Sequence, residues 1–167
     1  MARPLVESGY TVTTGCLKTH QYGGHFTMSM KLSVGGVHRK QMRQLHGSPH
    51  MRKMIAEINL GYRPQLIVMD GVEVFTDRGP MTGERKTANV ILAGTDRVAI
   101  DAVGLAVLKE KGSNETIMGR KIFEQDQVKR AVEIGLGVTG PEQIEIVTRD
   151  HESKAYADKL KSILLQG

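Results

Sequence analysis

Apolar residues along this chain switch between the two-residue period of a strand and the longer period of a helix, which predicts an α/β fold. Residues 10–17, rich in Thr and Val, read as a strand ending at Lys18-Thr19-His20. The loop through Gly23-Gly24 leads into a Met-rich helix over 26–34, closed by Gly35-Gly36. Residues 37–47 are basic and show no clear period. Ser48-Pro49 then opens a helix, a capping residue followed by proline at the first helical position. Met51, Met54, Ile55 and Ile58 follow at i, i+3, i+4 and i+7, so one face packs, and Gly61 and Pro64 stop the helix.

Two short apolar runs, Leu66-Ile67-Val68-Met69 and Val90-Ile91-Leu92-Ala93, read as buried strands. They end at Asp70-Gly71 and at Gly94-Thr95-Asp96. Thr95 is expected to cap a helix over 96–111, and another helix is expected over 118–134. Residues 143–148 alternate as a strand, and Tyr156, Leu160, Ile163 and Leu164 form the stripe of a terminal helix. The expectation is one α/β domain over residues 1–167, with a mainly parallel sheet flanked by helices.

Composition narrows the function classes. Cys16 is the only cysteine, so the chain forms no internal disulfide and no iron-sulfur cluster held by four of its own cysteines. A reducing cytoplasm follows as the expected compartment. No apolar run approaches the roughly 18 residues needed to cross a bilayer, so the chain reads as soluble, unexported and without a membrane partner. With no Trp, three Phe and four Tyr, it lacks the aromatic supply that single-stranded nucleic-acid binders use for stacking.

Charge is distributed unevenly. Residues 8–56 contain no Asp or Glu, yet hold seven of the 23 Lys and Arg and five of the six His. Nearly all of the formal +5 charge therefore arises in this block, which favours an anionic partner. Arg39, Lys40, Arg43, Arg52 and Lys53 within it could clamp a phosphate or a dicarboxylate.

In parallel α/β sheets, ligands bind beyond the carboxyl ends of strands. Lys18 and His20, then Asp70 and Gly71, then Thr95 and Asp96 would share that edge if the strands are parallel. Asp101 is the one polar side chain in the otherwise apolar run 98–108. A carboxylate buried there needs a partner or a raised pKa. The partner could be Lys18, Lys31 or a histidine, or the backbone amides of a neighbouring loop. Lys18, His20 and Asp101 are the catalytic candidates, and Lys31, Asp70, Gly71, Thr95 and Asp96 the ligand-binding ones. A metal could sit with the three acids, although its identity is not specified. His20 and His25 flank the Gly-Gly loop and could hold a metal or shuttle a proton. His46 and His50 have helical spacing, but Gly47-Ser48-Pro49 between them breaks the helix that a metal pair would need. The HExxH, GxSxG and GxxxxGK[ST] signatures are absent.

Leu17-Lys18-Thr19-His20, the Lys31 helix, Leu66-Ile67-Val68-Met69-Asp70-Gly71, Gly79-Pro80 with Gly83, and Gly94-Thr95-Asp96-Arg97-Val98-Ala99-Ile100-Asp101 occur in this order. In that order and over roughly residues 12–147, the chain resembles the domain of unknown function 362 family. The resemblance implies a cytoplasmic prokaryotic protein from a family often fused to ferredoxin-type iron-sulfur modules. Two departures stand out. Lys31 is followed by Leu32 where the family commonly has Asn, and only 17 residues precede Lys18, so the chain resembles the C-terminal portion of a larger domain.

The function expected from these residues is binding of a small anionic metabolite or cofactor at strand carboxyl ends. They fix no reaction. One alternative is a nucleic-acid-binding module built on residues 8–56. Another is a non-catalytic subunit of an iron-sulfur or redox assembly, completed by a redox partner subunit or by homo-oligomer formation. The first expectation requires Lys18, His20, Asp70, Asp96 and Asp101 to converge.

Overall fold

The computed structural model describes all residues, Met1–Gly167. β1 (Val12–His20) lies at the centre of a four-stranded sheet beside β2 (His25–Thr27) on one side and β3 (Leu66–Phe75) on the other. β4 (Arg85–Gly94) closes the order β2-β1-β3-β4. The helices are α1 (Arg3–Glu7), α2 (Ser29–Leu32), α3 (Met42–Gly47), α4 (Met51–Ile58), α5 (Arg97–Glu110), α6 (Glu115–Met118), α7 (Asp126–Glu133) and α8 (His151–Gln166).

The α/β class and the single domain hold, but the sheet is mixed. Only β1 and β3 pair in parallel, whereas β1–β2 and β3–β4 are antiparallel. Connection length explains this: a tight turn joins β1 to β2 and one loop joins β3 to β4, and short links give antiparallel neighbours. The long connection through α2, α3 and α4 is the one that permits a parallel return.

Helices cover one face of this sheet. Leu17, Ile67, Met69 and Leu92 point into that layer and are buried, while Cys16, Asp70 and Ile91 form an exposed row on the other face. α5 fills the middle of the helical layer, against β1, β3 and β4 on one side and α2, α7 and α8 around it. Every residue from 100 to 108 is buried, and each fully buried Leu, Ile or Val contributes about 1.5–3 kcal/mol. Gly104 permits this approach, since a β-carbon there would lie 2.6 Å from Met28 Sδ and 2.9 Å from a Leu17 methyl. No helix is long and apolar enough to cross a membrane.

Several local expectations change. The helix expected over 26–34 is instead β2, α2 and a 3-10 turn at Ser33–Gly36. The region 37–47 is partly helical, because α3 occupies its second half. The next helix starts at Met51 rather than Pro49, with Ser48 Oγ accepting the His50 N–H. The helix expected over 118–134 splits into α6, a 3-10 turn at Ile122–Glu124 and α7. Asp96, not Thr95, caps α5. Residues 144–148 carry the expected strand pattern but join no sheet.

Candidate functional site

β1 delivers Lys18 and His20 to its C-terminal end, two residues apart and opposite Thr27 and His25 of β2. The turn that joins the strands depends on left-handed backbone, with φ of 71° at Gly23 and 55° at His25. His20 Nδ1 accepts the Tyr22 N–H at 3.1 Å, and the two rings meet edge-on with centroids 5.5 Å apart. The neutral ring therefore carries its proton on Nε2. Burial pushes the His20 pKa down to about 4, helped by the positive charges of Lys31, Lys18 and His46. At neutral pH His20 is an uncharged donor whose one lone pair is already engaged, so it suits holding an anion better than removing a proton.

Lys31 enters from α2. It is 7% exposed, and its Nζ is buried with no hydrogen-bond partner. The ammonium lies under the turn: a β-carbon on Gly24 would sit 2.8 Å from Nζ, so only glycine fits there without displacement. Burial and the neighbouring Lys18 lower its pKa to about 8.

Asp101 fixes the helix that carries Lys31. Its carboxylate accepts the Ser29 N–H at 2.7 Å, the Met30 N–H at 3.3 Å, the Ser29 hydroxyl and the Gln127 side-chain N–H at 3.4 Å. Two of these donors are backbone amides at the start of α2, as the loop-amide alternative expects, and neither Lys18, Lys31 nor a histidine is its partner. Full burial pushes the Asp101 pKa up to about 7 against the pull of those hydrogen bonds.

The other candidates lie apart. β3 does not end at Asp70-Gly71 but continues to Phe75, so Asp70 sits mid-strand, exposed beside Cys16, and accepts the Val72 N–H at 2.9 Å. Gly71 is a packing position, where a β-carbon would lie 2.8 Å from both Leu17 and Val90 side chains. Because β4 is antiparallel, Gly94 pairs with Ile67 near the start of β3, whereas Lys18 pairs with Phe75 at its end. Thr95 and Asp96 therefore occupy the opposite edge of the sheet from Lys18 and His20. Asp96 accepts the N–H groups of Val98, Ala99 and Val138 at 2.8, 2.9 and 2.9 Å. The five-residue convergence does not occur; Lys18, His20 and Lys31 come together, and the acids do not join them. No three metal-binding side chains cluster, so Asp70, Asp96 and Asp101 form no common cation site.

The family described as Domain of unknown function (DUF362) matches residues 1–106. The chain belongs to this family. The DUF362 match spans the whole sheet and ends within α5, so it includes Lys18, His20, Lys31 and Asp101. No curated protein and no solved structure matches the chain.

Two polar groupings in this DUF362 protein escape sequence inspection. Arg97 is 6% exposed and donates to the Asn59 carbonyl at 2.8 Å, to Asn59 Oδ1 at 3.0 Å and to the Tyr62 carbonyl at 3.0 Å. Its neighbours lie far away in sequence, so no local pattern announces it. Beside the site, Arg52 pairs with Asp126 at 2.7 Å and also donates to the Gly23 carbonyl, which ties the turn to α4 and α7. Arg52 is thus not a free cation, whereas Arg39, Lys40, Arg43 and Lys53 are exposed without an ion-pair partner. Two clefts of about 620 and 630 Å³ are lined by other residues, and neither touches Lys18, His20 or Lys31.

Proposed function

We propose that this DUF362 chain binds a small anionic metabolite or cofactor at the C-terminal end of β1. Lys18 and Lys31 supply the positive charge, and neutral His20 donates from Nε2. The observation that carries this reading is the buried, unpartnered Nζ of Lys31. Enclosing a lone ammonium costs several kcal/mol, and a bound anion offsets that cost. The acid beside the turn, Asp126, is engaged by Arg52 at 2.7 Å, and no carboxylate pairs with Lys31. Gly24 lies against the ammonium, so entry of the ligand displaces the turn that carries it. We place the protein in a reducing compartment, where the free, exposed Cys16 remains a thiol.

Thermal-shift screens against phosphate, nucleotides and dicarboxylates test the reading on the wild type, Lys18→Ala and Lys31→Met. A ligand at about 100 times its Kd adds about 2.7 kcal/mol, which raises Tm by roughly 5 °C or more in a chain of this size. The expected result is such a shift for one anion class in the wild type and its loss in both variants. Identical ligand responses in all three proteins contradict the site.

A further inference from the structure

The outer edge of β4 and residues 143–150 line a cleft of about 620 Å³ on the far side of the sheet from β2. β4 is the last strand, and no backbone hydrogen bond reaches residues 85–94 from outside the sheet. Across the cleft, residues 145–149 make no backbone hydrogen bond at all. Their side chains nevertheless alternate as in a strand: Ile144 is buried and Ile146 half-buried, while Glu145 and Val147 are exposed. Both walls thus present unpaired backbone donors and acceptors, which is the state that edge strands are usually built to avoid. The floor between them is apolar, formed by Ile100 and Val103 of α5 and by Tyr156, Ala157 and Leu160 of α8.

We infer that this cleft receives a single β-strand from a different polypeptide, inserted between β4 and residues 145–149. Backbone pairing on both edges supplies affinity, and apolar side chains at every second position of the inserted strand pack onto α5 and α8. The incoming strand must be free on both edges. A folded second copy has none to offer from its sheet, since β1 and β3 are paired on both sides and β2 and β4 on one, and its residues 145–149 are held against the core by Ile144 and Ile146. A linear segment of another protein meets the requirement. The charged residues lining the cleft are Asp96, Glu145 and Asp150 against Arg149 alone, so basic residues flank the apolar positions of the partner segment.

A displayed library of random twelve-residue peptides, panned against the full chain, tests this, with the enriched peptides synthesised as probes. The expected sequences alternate apolar and polar residues with basic flanks. On binding they slow hydrogen exchange of the β4 amides that face away from β3 and of residues 145–149 by at least about tenfold, and N-methylation of alternate peptide amides weakens binding by a similar factor. Leu160→Lys, which charges the floor, abolishes binding, while Lys18→Ala binds like the wild type. Four outcomes overturn the inference. These are no enrichment of alternating sequences, protection that maps elsewhere, outward-facing β4 amides and 145–149 amides already protected in the free chain, or a cross-link placing a second copy in the cleft.

Discussion

Around α5, the charged side chains have partners, although the amide oxygen of Gln127 is buried there without one. Arg97 donates to Asn59 and Tyr62, Asp96 takes three backbone amides, and Asp101 takes Ser29, Met30 and Gln127. Around the turn after β1 the opposite holds: Lys31 Nζ, His25 Nδ1 and Thr27 Oγ1 are buried with none. Burial is similar in the two regions, so burial alone does not separate a structural polar group from a binding one. The partner does. Where the chain supplies it, the group holds elements together, as Asp101 holds α2 against α5. Where the chain withholds it, at Lys31, the proposed anion would supply the missing partner.

The comparison can be broken by substitution, and the two regions should respond with opposite signs. Asp101→Ala leaves the Ser29 and Met30 amides buried and unsatisfied, so urea unfolding should show a loss of about 3 kcal/mol. A loss below about 1 kcal/mol would erase the structural role. Lys31→Met removes a buried ammonium that has no partner and keeps much of the side-chain volume. The same measurement should show stability raised by about 1–3 kcal/mol. A loss above about 2 kcal/mol would mean that Lys31 is already partnered in the free chain.

How far this was legible in the sequence differs between the regions. The run around Asp101 is apolar on all sides, and that pattern announces a buried helix with one acid needing partners. Which partner it finds is tertiary, because Ser29 and Met30 are about seventy residues away. In sequence Gly71 looks like the terminator of β3, whereas in the structure it is a close-packing position between Leu17 and Val90. The direction of β4 cannot be read from four apolar residues. The glycine-containing loop before it was the hairpin signal, and giving β4 a parallel direction placed Thr95 and Asp96 at the wrong edge. The acid-free block did point to Lys18, His20 and Lys31. What it could not show is that the Gly24 turn folds over Lys31 and leaves its ammonium alone.

The pH titration of His20, followed by NMR of its ring in the wild type and in Lys31→Met, tests the central claim most directly. Burial and the unpaired positive charges of Lys31 and Lys18 hold its pKa near 4, so the ring stays neutral far below the usual histidine range. The account predicts a wild-type midpoint near 4 that moves upward when Lys31 loses its charge. A midpoint near the ordinary value of about 6.5, unchanged in Lys31→Met, would show that no uncompensated cation faces His20 and would contradict the proposed anion site.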